Sequence, residues 1–89
     1  MYTVLKYPLE QISKQELTLP VNAKVFAVME QYGKVILYAL VDSSAKDKEV
    51  YTIYMYGTGD LVKAKWNDYI GTVMLHSGAL VLHVFVTKY

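Results

Sequence analysis

The stretch YTIYMYGTGD contains the residues of this chain that are best suited to contact a ligand. Alternation along a strand places Tyr54 and Tyr56 on one face, directly before Gly57, Thr58 and Gly59. Glycines permit a close approach of the backbone to a ligand, and their N–H groups can form a small anion-binding nest. The stretch has too few glycines for a P-loop and no following Lys-Ser/Thr. Two interpretations stay open: a ligand site, or a turn flanked by cross-strand tyrosine pairs.

A second candidate lies in KAKWNDY, where two lysines precede two aromatic residues. Rings of Trp66 and Tyr69 can sandwich a base while Lys63 and Lys65 contact phosphate, as in grooves that bind single strands. The alternative is structural, since the single tryptophan of a small domain usually covers the core.

The two histidines do not form a catalytic or metal-binding set. A zinc site needs three or four ligands, and no acid pair accompanies His76 and His83. Ser77 follows His76 directly and cannot face it as a nucleophile would. We expect His76 either to contact a ligand from a turn or to be a plain turn residue, and His83 to be a hydrogen-bonded core histidine. Because the acids also show no close pair, we predict no enzymatic activity, no catalytic residue, no metal and no cofactor.

The predicted ligand site therefore consists of residues from these three stretches: Tyr54, Tyr56, Gly57, Thr58, Gly59, Lys65, Trp66 and His76.

Composition limits the classes of partner. The 89 residues form one predicted β domain, 1–89, with net charge +1, nine tyrosines and no cysteine. All nine basic residues are lysines spread along the chain, so we expect no nucleic-acid partner, because arginine usually makes the bidentate phosphate and base contacts. The amino-terminal stretch has no signal-peptide pattern, and no apolar run is long enough to span a membrane. A tyrosine surplus indicates a binding surface.

The short segments rich in β-branched and aromatic residues predict an all-β fold, an antiparallel small barrel or sandwich of about seven strands with little or no helix. A charged loop is expected over 42–49, and glycine-containing hairpin turns at Tyr32-Gly33 and His76-Ser77-Gly78. The predicted strands are 3–7, 15–19, 24–31, 34–41, 50–56, 69–75 and 79–86.

The strands over 35–41 and 79–86 are apolar on both faces. In a two-layer domain of this size, one face should meet water and be polar. We therefore expect either a homo-oligomer, most simply a dimer, that covers the second face, or an internal ligand cavity.

Four motifs occur in order along the chain: KYPLE, ALVD, YGTG and IGTVMLHSGALVLHVF. As a set, spanning Lys6 to Phe85, they resemble a small uncharacterised protein family encoded in tailed-phage genomes. Such proteins usually carry arginine before YGTG, where this chain has Tyr54 and Met55. No activity is established for the family, so no catalytic residue follows from the resemblance. The resemblance implies an accessory phage product that acts in the cytoplasm of an infected host.

Taken together, these observations favour a phage-encoded, non-enzymatic protein that sequesters a small nucleotide-type signal of host antiviral defence. The alternative is a protein–protein inhibitor or accessory factor that binds a host or phage protein. Single-strand nucleic-acid binding on an OB-like barrel is a weaker third interpretation, since a basic groove is missing.

Overall fold

The computed structural model describes residues 1–88, which form two antiparallel sheets packed face to face. Sheet A has the strand order β1-β4-β3, and sheet B has the order β2-β5-β7-β6. Helical structure in these residues consists of single 3₁₀ turns at Trp66–Asp68 and His76–Gly78. The all-β prediction is confirmed, and the arrangement is a sandwich without closure into a barrel. The strands are β1 Tyr2–Leu9, β2 Lys14–Pro20, β3 Lys24–Gln31, β4 Lys34–Asp42, β5 Lys48–Gly57, β6 Tyr69–Leu75 and β7 Leu80–Lys88.

The strand ends differ from prediction mainly near prolines and charges. β1 continues through Pro8, because it lies at a sheet edge, where a missing N–H group is tolerated. β5 begins at Lys48, which pairs with Pro20 at the end of β2. Pairing with β2 therefore orders the end of the predicted charged loop, which shortens to 43–47.

The core lies between the sheets and follows the alternation of β4 and β5. Val35 and Leu37 on β4 are buried against Ile53 and Met55 on β5, together with Val84 of β7. The predicted parity of β5 is confirmed, since Tyr54 and Tyr56 lie on its opposite face.

One close contact joins the two sheets where β3 passes β6. A Cβ atom built on Gly71 would lie 2.8 Å from Cγ1 of Val28, a distance that real Cβ atoms essentially never show. Glycine thus avoids a clash with Val28 at this position, next to the irregularity in the β6–β7 register between Tyr69 and Gly71.

The second apolar faces are covered to different degrees. On β4, Ile36 is buried between its lateral neighbours Pro8 and Met29, whereas Tyr38 and Leu40 are only half-buried. On β7, Phe85 is buried by tyrosine rings of the same chain. The outer face of sheet A is therefore the more open of the two. Within residues 1–88, no helix has the length and apolar character needed to cross a membrane.

Candidate functional site

A cleft of about 420 Å³ lies on the outer face of sheet B. Strand pairing builds its floor, because Lys14 of β2 stands opposite Tyr54 of β5, and Tyr54 stands opposite Phe85 of β7. The segment 58–68 between β5 and β6 forms the other wall. The cleft is lined by Lys14, Tyr54, Tyr56, Lys63, Ala64, Lys65, Asp68 and Thr87.

An aromatic cluster of Tyr54, Tyr56, Tyr69 and Phe85 covers this face. The rings of Tyr54 and Tyr56 are nearly parallel, at 14°, with centroids 6.2 Å apart. Phe85 makes T-shaped contacts with Tyr56 and Tyr69, both at 5.5 Å between ring centroids. The Tyr56 hydroxyl oxygen also accepts a hydrogen bond from the Lys63 N–H group at 3.3 Å. These contacts hold the tyrosine rings in place as a preformed wall. Little side-chain entropy would therefore be lost when a ligand binds against them.

The charges in the cleft favour anions. Lys14 places its Nζ 5.9 Å from the centroid of the Tyr54 ring, within the range of a cation–π contact. Lys63 and Lys65 lie on the opposite wall, with Asp68 as the acid among the lining residues. Three lysines and one aspartate among the lining residues give a local excess of positive charge next to aromatic rings.

The Gly-Thr-Gly stretch forms a turn. Residues 61–68 follow it and run back over the outer face of sheet B. The Asp60 N–H group donates to the Gly57 carbonyl at 3.1 Å, and the Gly57 N–H group donates to the Asp60 carboxylate at 2.7 Å. Gly59 adopts φ +95°, in the left-handed region that glycine tolerates. The Gly57 amide is thus paired within the chain. Ligand contact by Gly57, Thr58 or Gly59 stays a prediction.

His83 is hydrogen-bonded at both ring nitrogens. Its Nε2 lies 2.8 Å from the Thr58 hydroxyl and its Nδ1 lies 2.9 Å from the Thr72 hydroxyl, which in turn bonds the Tyr69 hydroxyl. The expectation of a hydrogen-bonded histidine is confirmed. Its placement in the core is wrong, because His83 is half-buried on the outer face of sheet B. This chain of bonds ties the Thr58 turn to β6 and β7.

The predicted site residues separate into two groups. Tyr54, Tyr56 and Lys65 line the cleft, together with the flanking Lys63. His76 is exposed in the β6–β7 turn and is not a lining residue of the cleft. Its contact with a ligand stays a prediction.

Trp66 lies in the 3₁₀ turn between Lys65 and Asp68, which both line the cleft. Its side chain is 85% exposed, so the interpretation that it covers the core is wrong. Trp66 is therefore accessible in the segment that borders the cleft.

Sequence reasoning missed Lys14, Asp68 and Thr87. Lys14 has the parity of the outer face, but its closeness to Tyr54 depends on the pairing of β2 with β5, which are distant in sequence. Asp68 was visible beside Trp66 in KAKWNDY, yet nothing in the local pattern showed that the segment folds back over β5. Among residues 1–88, no group of three or more His, Cys, Asp or Glu side chains is placed to hold a metal ion.

Comparison with protein families identifies the domain. The family model described as "Domain of unknown function (DUF7352)" matches residues 1–89. The chain belongs to the DUF7352 family. No curated protein and no solved structure matched it. For this DUF7352 domain, function must therefore be argued from the cleft itself.

Proposed function

We propose that this protein binds a small nucleotide-type anion in the cleft on sheet B and holds it without chemical turnover. The observation that carries this proposal is the combination of preformed tyrosine rings with three lysines around one cleft. Cleft volumes of roughly 300–1,000 Å³ are usual for small-molecule sites, and this one falls within that range.

The cleft offers a suitable protein group for each part of a nucleotide. In the proposed complex the phosphate lies near Lys14, Lys63 and Lys65, which line the cleft, and the base stacks on a tyrosine surface. Asp68 accepts a hydrogen bond from an amino or hydroxyl group of the ligand, because a carboxylate is an acceptor. Neither nitrogen of His83 is available for acid–base work on such a ligand, since both are engaged by threonines.

The biological role that we propose is sequestration of a nucleotide-type signal of host antiviral defence, in the cytoplasm of an infected host. The resemblance of KYPLE, YGTG and the carboxy-terminal motif to tailed-phage proteins supports this role. A sequestering protein needs tight binding of its ligand and no turnover, and the aromatic rings and lysines of the cleft supply groups that bind.

The test is a thermal-shift screen of the purified protein against linear mononucleotides, dinucleotides and cyclic nucleotides. A ligand at a hundredfold excess over its dissociation constant stabilises the fold by ~2.7 kcal/mol, which raises the melting temperature by several degrees. The bound nucleotide is then released by heat and identified by mass spectrometry. Recovery of the unaltered nucleotide supports binding without turnover, whereas a hydrolysed product would contradict it.

A second function, binding of a host or phage protein, has its own supporting observation. Leu61 and Trp66 in the segment beside the cleft are 89% and 85% exposed, and exposed aromatic residues are typical hot spots. A stoichiometric protein recovered with tagged wild type but lost with Trp66→Ala favours this function. A small molecule released on heating favours the first.

We also propose that the protein is a homo-oligomer. Its support is the outer face of sheet A, where Val4 is exposed beside the half-buried Leu40 and Met29 is exposed beside Ile36. Monomers rarely expose contiguous apolar patches beyond a few hundred Å². Light scattering tests this proposal, since a monomeric mass at micromolar concentration would refute it.

A further inference from the structure

The edge of β1 is open. Among the described residues, β1 pairs with β4 and with no other strand, and the side chains of residues 2–6 are exposed on both faces. Edge strands of soluble proteins are usually short, charged, bulged or covered. Over these five positions β1 has one charge, on Lys6, and its proline comes later, at Pro8.

At this edge the side chains of β1 are uncovered on both faces of sheet A. Val4 lies on the outer face opposite Leu40 and is 52% exposed. Leu5 has the inward parity and pairs with Ala39, which is fully buried, yet Leu5 itself is 43% exposed. Sheet B therefore leaves the amino-terminal part of β1, residues 2–6, uncovered.

We propose that β1 pairs antiparallel with β1 of a second copy of this chain, about a two-fold axis that passes beside Val4. The two copies of sheet A then form one six-stranded sheet. This inference rests on the proposed homo-oligomer and specifies its interface.

The residues of β1 select this register. A two-fold axis perpendicular to the sheet keeps both outer faces on one side, so facing residues must have the same parity. An axis at Leu5 would set Tyr2 against Pro8, which has no N–H group to donate. An axis at Lys6 would oppose two lysines, which is unfavourable for directly facing side chains. An axis at Val4 pairs residues 2–6 of both copies and leaves Pro8 outside the ladder.

The side chains match in this register. Tyr2, 54% exposed, faces Lys6 of the second copy, and an ammonium group beside an aromatic ring is a favourable cross-strand pair. Val4 faces Val4 of the second copy, and Thr3 faces Leu5 of the second copy. The exposed apolar side chains of one edge thus cover those of the other.

The test uses single cysteines in a chain that has none. Directly facing residues of an antiparallel pair have Cα atoms about 4.5–5.5 Å apart, which a disulfide can bridge. Val4→Cys is expected to form a covalent dimer under mild oxidation at micromolar concentration. The matched control is Met29→Cys, which is 57% exposed on the outer face of sheet A but lies on β3, two strands away. It is expected to stay largely uncrosslinked.

A second variant tests the same pairing without a covalent crosslink. Val4→Lys sets two ammonium groups against each other across the axis, and we expect light scattering to show a shift from dimer to monomer with unchanged circular dichroism. If wild type is monomeric, both the oligomer and the β1 pairing are refuted. If wild type is a dimer but Val4→Lys remains dimeric and Val4→Cys crosslinks no better than Met29→Cys, the β1 pairing alone is overturned.

Discussion

The rings of Tyr54 and Tyr56 stand 6.2 Å apart and within 14° of parallel on the outer face of sheet B. A base inserted between two rings needs two van der Waals contacts, about 7 Å in all. The pair is too close to admit a base, and Phe85 makes a T-shaped contact with Tyr56. In the proposed complex the base therefore stacks on the tyrosine surface that faces the cleft.

This geometry predicts the effect of removing the Tyr54 ring. Stacking of a base on an aromatic residue contributes about 1–3 kcal/mol, so Tyr54→Leu should weaken nucleotide binding roughly 5- to 150-fold. Tyr54→Phe keeps the ring and is expected to bind within a few-fold of wild type. Isothermal titration with the best nucleotide from the thermal-shift screen measures both. Wild-type affinity in Tyr54→Leu would show that the base lies elsewhere.

The contact between Gly71 and Val28 predicts a coupled pair of stability effects. Gly71→Ala forces a Cβ atom into Cγ1 of Val28, and overpacking of this kind costs about 1–3 kcal/mol. Val28→Ala alone leaves a cavity and also destabilises. The double variant should lose less stability than the sum of the two single losses. Val28→Ala makes room for the added Cβ atom, and that atom fills part of the cavity. Urea unfolding measures the four proteins, and strictly additive effects would contradict the contact.

Much of the fold could be predicted from the sequence because strand signals are local. The alternation in β5 and the Gly-containing hairpins place strands within one or two residues, and Lys24–Gln31 has the predicted ends. The exceptions have non-local causes. Lys48 becomes part of a strand because β2 supplies a partner, and β1 runs through Pro8 because it is an edge.

The cleft was less predictable than the strands. Tyr54, Tyr56 and Lys65 could be identified from residue type and parity. Lys14 joins them only because β2, distant in sequence, pairs with β5, and single-sequence patterns carry no strand order. Strand β7 shows the same limit. Its second apolar face indicated an oligomer, but Tyr56 and Tyr69 of the same chain pack on Phe85 of that face.

The β3–β4 hairpin offers a stabilising substitution. Tyr32 and Gly33 have φ of 52° and 78°, and the Tyr32 side chain is 92% exposed. A left-handed conformation costs an ordinary residue about 1–2 kcal/mol, whereas asparagine adopts it routinely in such two-residue turns. Tyr32→Asn should therefore raise the free energy of unfolding by up to ~1 kcal/mol, measured by urea titration. Gly33→Ala should lower it, and a loss of stability in Tyr32→Asn would contradict the turn geometry.

Glu49 predicts a specific acid sensitivity. The Lys88 Nζ atom lies 2.8 Å from Oε2 of Glu49, and this ion pair holds the pKa of Glu49 below its ordinary value of 4.5, while the pKa of Lys88 is raised. A lowered folded-state pKa contributes stability that is complete above 4.5 and is lost as the pH falls through the folded-state value. The stability difference between wild type and Glu49→Gln should thus be constant near neutral pH and shrink below about pH 4.5. Urea midpoints across pH 3–7 measure it, and a difference independent of pH would contradict the ion pair.

The most direct test of the proposed cleft is titration of nucleotide into two double variants of equal net charge. Lys14→Glu with Lys65→Glu reverses two charges that line the cleft, whereas Lys24→Glu with Lys46→Glu reverses two exposed charges away from it. Charge-assisted contacts contribute about 1.5–3 kcal/mol each, so the cleft variant should lose at least tenfold in affinity while the control stays near wild type. Equal affinity in the two variants, or no nucleotide binding by folded wild type, would contradict the account.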